Sequence, residues 1–453
     1  MKPIKFLLIN PTAAVWRVQS GERPRQSRLF RFSMLPSLYV AASMPPYVET
    51  RIIDEEIEPI DFNTDADLIG VTFMTYNAPR AYEIADKFRK EKDKPVIFGG
   101  YHPTFMPEEA IQHADAICIG EAENNVPHMM EDFAAGKLKQ FYSGEPVNLA
   151  GLPRLNRSLI QKQNYAPTDA LQATRGCSYQ CSYCSVSAFH QHHFRVRPVD
   201  EVIDDLKSLG RYILFMDDNL IGNRDYAKQL FAEMIPHKKR WFSQCGIRIA
   251  DDEELLQLAS RSGCRGLFIG FETLSEAGLH SWKKQVNLGQ DYLTVIHKLH
   301  SAGIAVCAAF MLGGDNDTPD VFEQTLDFLL EANVETIQVT RVTPFPGTPL
   351  FVEMERQGRI FDKDWSHYDF NHVVFEPLHM SCETLNKGVS WVLREFHTRK
   401  RVARRVWNSF QYLDPGMVLG GVLPINLGWR HKLTEDGNFQ RGTTLATVSS
   451  KRL

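Results

Sequence analysis

The 453-residue chain has no apolar run approaching the roughly 20 residues that cross a bilayer, so the sequence offers no transmembrane helix. It has little net charge of either sign. Its 51 lysines and arginines face 55 aspartates and glutamates, a formal balance of −4, which removes any global electrostatic case for a nucleic-acid partner. Its first ten residues are not expected to act as a targeting signal. Met1-Lys-Pro-Ile-Lys-Phe-Leu-Leu-Ile-Asn10 has an apolar stretch too short for a signal-peptide core and no cleavage site, and it reads as the first strand of a cytoplasmic protein. Cysteine is sparse. Eight are present, and five of them (Cys118, Cys245, Cys264, Cys307 and Cys382) are scattered as small buried residues usually are.

The other three are not scattered. Cys177, Cys181 and Cys184 read C-x-x-x-C-x-x-C, directly after a strand-like run at residues 170–174 that ends in Arg175-Gly176. Zinc normally takes two separated pairs of ligands, and no second pair is near. An iron–sulfur cube normally takes four cysteines, so three on one loop leave one iron open to a small molecule that can accept an electron there. At these residues the sequence resembles the radical S-adenosylmethionine (radical SAM) superfamily. The resemblance implies that Cys177, Cys181 and Cys184 are catalytic and hold a [4Fe-4S] cluster whose open iron chelates S-adenosyl-L-methionine. It also implies reduction by a donor such as flavodoxin or ferredoxin, giving a 5′-deoxyadenosyl radical. Tyr183, the aromatic residue before the third cysteine, matches the family pattern and would lie near the adenine.

Upstream, residues 1–140 alternate strand-like and helix-like patterns. Strand runs fall at residues 5–10, 48–54, 67–75, 94–100 and 115–120, and helical stretches at 79–91, 107–113 and 123–135. Such alternation indicates a doubly wound parallel sheet, on which ligands bind at the carboxyl ends of the strands. Gly99-Gly100 sits at such an end, where missing side chains let a flat ligand lie against the backbone. The arrangement resembles the cobalamin (B12)-binding domain that precedes many radical SAM enzymes. Thr72-Phe-Met74 stands in the place of that domain's Ser-x-Leu signature, 27 residues before the Gly-Gly, and residues 115–121 resemble its closing strand and Gly-Glu turn. Thr72, Gly99 and Gly100 would then contact cobalamin. The signature Asp-x-His-x-x-Gly, whose histidine binds cobalt from below, is absent; the loop reads Asn10-Pro-Thr-Ala-Ala-Val-Trp16. A version of the domain without corrinoid therefore stays open. His102 is expected at a turn or rim.

Residues 141–167 have low periodicity and several prolines and read as a linker. Residues 168–355 repeat six βα units with polar residues and glycines at the strand ends, which fits the partial (βα)6 barrel of the radical SAM family. The strand expected at 212–216 ends in Asp217-Asp218-Asn219, which the resemblance places near the amino group of S-adenosylmethionine. The strand expected at 241–249 carries Arg248, a fork suited to the methionine carboxylate. Glu272 ends an apolar strand, and relatives use this position for the ribose hydroxyls. Gly313-Gly314 and Pro346-Gly347 would admit the adenosine. The His- and Arg-rich stretch at 188–197 is expected to be a polar loop over the cluster whose arginines meet substrate or cofactor charge.

Residues 356–453 are expected to form a mostly helical extension. Residues 364–377 resemble the segment after the barrel in a subgroup acting in pigment, hopanoid and other lipid metabolism. One helix is expected at 382–405. The glycine-broken apolar stretch at 415–429 is expected to cover the barrel mouth or to rest on an anionic membrane surface, and residues 434–453 to be disordered. The leading functional expectation is cobalamin-dependent C-methylation of an unactivated carbon in a small-molecule substrate, with the tail hinting at a lipid or isoprenoid. The second is a corrinoid-free dehydration, cyclisation or coupling. A third, of another class, is a non-catalytic iron–sulfur electron carrier, which would have no use for a pocket at the strand ends.

Overall fold

Short apolar runs closed by polar residues or glycine become the strands of two separate parallel sheets. A computed structural model describes residues 3–19, 28 and 31–435. The first sheet contains β1 (Ile4–Asn10), β2 (Val48–Asp54), β3 (Leu68–Thr72), β4 (Val96–Gly99), β5 (Ala116–Ile119) and β6 (Phe141–Ser143), in the order β2-β1-β3-β4-β5-β6. The helix Ala78–Lys92 packs Ala81, Ile84, Ala85 and Phe88 against one face, beside Leu7, Ile9, Ile69 and Val71. The helix Ala122–Ala134 packs Val126, Met129 and Met130 against the other, beside Phe6, Leu8, Leu68 and Ile97. Cover on both faces explains why the central strands are continuous apolar runs. At the carboxyl edge, Thr72 lies opposite Gly99. Two details differ from expectation. β6 falls inside the stretch read as linker, with only Tyr142 of its three residues buried, too short a run to show a period. The helix expected at 107–113 is shorter, Pro107–Ala110 with Pro107 at its first position, and a separate short helix, Tyr101–Phe105, precedes it.

The second sheet begins with β7 (Asp169–Leu171). A small antiparallel pair, β8 (Thr174–Arg175) with β9 (Arg195–Val196), closes the base of the cysteine loop. The sheet continues with β10 (Tyr212–Phe215), β11 (Arg240–Gln244), β12 (Cys264–Glu272), β13 (Ala305–Leu312) and β14 (Thr336–Arg341), in the order β14-β13-β12-β11-β10-β7. These are the six parallel strands expected of a partial barrel. Ile213, Trp241, Leu267, Ile269, Val306, Phe310 and Ile337 are buried in its core. The alternate residues Leu214, Phe242, Phe268, Cys307 and Gln338 line a cavity inside it. The strand expected to reach residue 249 stops at Gln244, and Arg248 stands in a helical turn, Ile247–Asp251.

The helix expected at 382–405 is two helices, Cys382–Phe396 and Arg399–Ser409, broken at His397 and at the extended Thr398. The first buries Leu385, Val389, Val392 and Phe396 in the barrel core. The 415–429 stretch is helical, with a π-helical turn at Val418–Val422 running into the helix Leu423–Glu435. Val418 and Val422 pack against Ala305, the first residue of β13. The stretch therefore closes the amino-terminal end of the barrel, not its mouth. Residues 436–453, most of the tail expected to be disordered, lie outside the described residues. Among those described, no helix is long and apolar enough to cross a membrane.

Candidate active site

The carboxyl ends of the two sheets meet. Tyr101, just after β4, stacks on Phe189 of the cysteine loop at 4.3 Å between ring centroids. Between them lies a cavity of about 1840 Å³. Thr72, Gly99 and Gly100 line it from the first sheet, and Gln172, Arg175, Asp218 and Gln244 from the second. It continues down the inside of the barrel to Gly416, Gly420 and Gly421 at the far end.

The cysteine loop is held from below by the residues after β10. Asp217 is fully buried and accepts hydrogen bonds from the N–H of Ala173 (3.1 Å), from the N–H of Thr174 and from the Thr174 hydroxyl (2.7 Å). It is a strap for β8 and has no oxygen free for an ammonium group, contrary to the expectation for this residue. Asp218 accepts from the Gly176 N–H at 2.9 Å and still lines the cavity. Asn219 donates to the Cys177 sulfur at 3.9 Å. Burial pushes the Asp217 carboxyl up to about 7 and the Cys177 thiol up to about 11, and it raises the Cys181 thiol as well. Iron would displace those protons, since the thiolate is the ligand. Among the described residues no three His, Cys, Asp or Glu side chains converge on a single-ion site. A cube holds its ligands at separate corners, so three thiols spread along one loop fit it without such convergence.

Beside the cysteines, Glu272 accepts from the Tyr183 hydroxyl and from the Lys284 ammonium, both at 2.9 Å. Glu272 has φ +68° at a bulge that ends β12. A non-glycine residue in that region is strained, and such strain clusters at functional sites. Burial works to lower the Lys284 pKa, but Glu272 and the Cys181 thiol nearby raise it above the ordinary lysine value. Sequence reasoning missed Lys284. It follows Trp282 in a short basic run after a helix, and no spacing marks it. Arg248 is placed differently from expectation: it donates to the carbonyls of Val286 (2.8 Å) and Leu288 (3.2 Å) and to Asp251 (3.0 Å), so its fork is committed to a loop. The Gly313 α-carbon is covered by Leu385, that of Gly314 by Trp282 and that of Gly347 by Phe105. The close approach these glycines allow is to protein side chains, not to adenosine.

On the other side, Gly100 has φ +102°, and a Cβ there would stand 2.7 Å from the Phe73 carbonyl oxygen. Below it, Phe6, Leu8, Gly70, Ile97, Cys118, Val126 and Met129 line a slot between the sheet and the helix Ala122–Ala134, continuous with the cavity. An apolar slot opening beneath a glycine edge fits a flat macrocycle with a tail. His102 is fully buried with its Nε2 3.0 Å from the Tyr82 hydroxyl, so it is a core residue and not a rim residue.

Glu121, in the turn after β5, joins the two sides. It accepts a bidentate pair from Arg195 (2.6 and 2.9 Å), a bond from Arg175 (3.1 Å) and one from the Val147 N–H (2.7 Å). Burial alone would raise its carboxyl, but Arg195 and Arg175 hold it down to about 2. Arg175 also pairs with Glu123 and donates its Nε–H to Gln172 at 2.7 Å. Arg197 pairs with Asp205 at 2.9 Å. The arginines of the 188–197 stretch thus meet protein carboxylates, where sequence reasoning expected substrate or cofactor charge. Burial lowers His190, beside them, to about 4, so it is neutral at pH 7.

The Radical SAM superfamily profile matches residues 171–329, and the B12 binding domain profile matches residues 38–129. Bacteriochlorophyllide d C-12(1)-methyltransferase of Chlorobaculum tepidum is 32% identical over 418 residues, 89% of this chain and 89% of that protein. The chain belongs to the radical SAM superfamily. It is a radical SAM enzyme with an amino-terminal B12-binding domain. Bacteriochlorophyllide d C-8(2)-methyltransferase of the same organism is 27% identical over 391 residues, 80% of this chain and 84% of that one. The radical S-adenosylmethionine methyltransferase TsrM of Kitasatospora setae, solved with cobalamin and a [4Fe-4S] cluster bound, shares the fold with a TM-score of 0.63. It is 16% identical, and the match covers 92% of this chain and 90% of that one.

Proposed function

We propose that this radical SAM enzyme uses a corrinoid to methylate an unactivated carbon on a flat, lipid-soluble small molecule of tetrapyrrole type. The observation that carries it is the single cavity running from Thr72, Gly99 and Gly100 to the strand ends beside the cysteine loop. Both bacteriochlorophyllide methyltransferases support the substrate class by their names. When bound, the cluster with S-adenosylmethionine supplies a 5′-deoxyadenosyl radical, and the corrinoid supplies the methyl group. Cys177, Cys181 and Cys184 would hold the cluster. Tyr183, Glu272 and Lys284 form a fixed polar wall beside it, and Asp218 adds a partly free carboxylate. Thr72 and Gly99 would seat the corrinoid at the cavity edge, and Gly100 holds the turn there, since a Cβ on it would meet the Phe73 backbone. Glu121, with Arg175 and Arg195, holds the two strand edges together, which keeps water from the reacting centre.

Residues 1–140 are read as the corrinoid domain, with β6 completing its sheet from within a crossing at 141–167. Residues 168–355 are then the partial barrel and 356–453 the extension. An external reductant such as a flavodoxin or ferredoxin completes the system, and a reducing compartment such as the cytoplasm suits its eight unpaired cysteines.

Anaerobic reconstitution with iron, sulfide, hydroxocobalamin, S-adenosylmethionine and dithionite tests the proposal. A retained corrinoid spectrum and formation of 5′-deoxyadenosine are expected, and Cys181→Ala should lose both the cluster absorbance and the nucleoside. Nucleoside formation that survives Cys181→Ala would overturn the proposal. Nucleoside without retained corrinoid would move it to the dehydration, cyclisation or coupling version.

A further inference from the structure

The helix Arg399–Ser409 has the sequence RKRVARRVWNS, with five basic residues and no acidic one. Two of the five are used internally. Arg401 pairs with Glu395, and Arg405 is buried over the Phe396 ring and bonded to Asn426. Arg399, Lys400 and Arg404 are exposed and have no ion-pair partner among the described residues. Trp407 lies on the same helical face, three residues after Arg404 and seven after Lys400, and it is 74% exposed. The adjoining π-helical turn and final helix expose Leu419 (57%) and Leu427 (51%), while Val418 and Val422 point inward onto the barrel. Between residues 399 and 433 the only carboxylate is Asp414, and it is already paired with Arg240 (2.8 Å) and Arg265 (3.8 Å).

We propose that this outer face docks on an anionic lipid bilayer, with Trp407, Leu419 and Leu427 entering the headgroup layer while Arg399, Lys400 and Arg404 meet lipid phosphates. Exposed aromatic and leucine side chains bordered by unpaired cations, with no free carboxylate among them, are what an interfacial helix presents. Each cation near an anionic surface strengthens partitioning roughly fivefold, so three together outweigh the protein's weak overall negative charge. The inner side of the same segment is the floor of the cavity, at Gly416, Gly420 and Gly421. The docking face and the floor are two sides of one layer. The inference concerns this surface alone and stands whichever reaction the cavity supports.

The full-length protein is sedimented with vesicles of phosphatidylcholine alone or of phosphatidylcholine containing phosphatidylglycerol, at low and at high salt. Binding to the anionic vesicles that weakens with salt is expected. A triple variant, Arg399→Ser with Lys400→Ser and Arg404→Ser, should partition roughly a hundredfold less. Trp407→Ala should weaken binding severalfold, and Arg404→Lys should leave it unchanged, which separates charge from fold. Circular dichroism melting of every variant should match the parent, because all four side chains are exposed. No binding to anionic vesicles, equal binding to neutral ones, or a triple variant that binds like the parent would each overturn the proposal.

Discussion

The two sheets have six parallel strands each, yet they use their faces in opposite ways. In the first, β3 buries four consecutive residues and β4 three, because helices cover both faces. In the second, β14 alternates buried and accessible residues, because only the outer face is covered and the inner face looks into the cavity. A sheet covered on both faces offers a ligand its edge and the narrow apolar slot beneath it. At that edge the contacts come from backbone and small residues, as at Thr72, Gly99 and Gly100. A curved sheet open on one face can also offer polar and charged side chains, as at Asp218 and Gln244. One side of the cavity therefore selects by shape and the other by charge.

The largest expected effect comes from breaking the joint between them. Glu121→Ala leaves Arg195 and Arg175 buried with their shared partner gone, which should cost about 3–5 kcal/mol. Urea unfolding should show the loss, together with two separated transitions in place of one. An unchanged unfolding curve would mean that the two sheets do not depend on this carboxylate. Next is the polar wall beside the cysteine loop. Lys284→Met removes the cation from Glu272 but leaves the Tyr183 hydroxyl bonded to it, so about 2–3 kcal/mol should be lost. S-adenosylmethionine should bind more weakly in equilibrium dialysis, with corrinoid retention unaffected. The shape-selecting side should answer in reverse. Gly100→Ala puts a Cβ at φ +102° against Phe73, at about 1–3 kcal/mol of strain. Retained corrinoid absorbance should fall while the cluster absorbance stays. If either variant impaired both cofactors alike, the division between shape and charge would fail.

Much of this layout was legible in the sequence, for physical reasons that also mark where legibility stopped. Continuous apolar runs announced the doubly covered sheet, and three cysteines on one loop announced the cluster side. Asp217 and Asp218 could not be told apart, because neighbouring residues point to opposite sides at a strand end. Only the fold shows that the first is a buried strap and the second lines the cavity. Arg248 reads as part of a strand because Ile247 and Ile249 flank it with an alternation that a helical turn can also carry. The glycines at 313, 314 and 347 looked like room for a ligand, yet the side chains that fill that room come from residues far away in sequence. Lys284 had no local signal, since its role depends on a partner 12 residues earlier reached through a turn.

The last expected effect concerns the strap itself. Burial raises the Asp217 carboxyl from 3.8 to about 7, against three hydrogen bonds that favour its charged form. In the unfolded chain this group ionises near 3.8, whereas in the folded chain it keeps its proton until about 7. Between those values the folded state binds more protons, so this group lowers stability as pH rises, and the loss is complete above pH 7. The three hydrogen bonds are already weighed in that value, so burial outweighs them and the decline falls between about pH 4 and 7. Asp217→Asn has no proton to lose. Its unfolding free energy, measured from pH 4 to 8, should decline less than that of the parent, and the difference between the two curves should flatten above pH 7. A difference curve that rises with pH would mean that the three donors outweigh burial and that the strap is anionic throughout. The charge-bearing side of the cavity would then rest on a second fixed carboxylate beside Asp218.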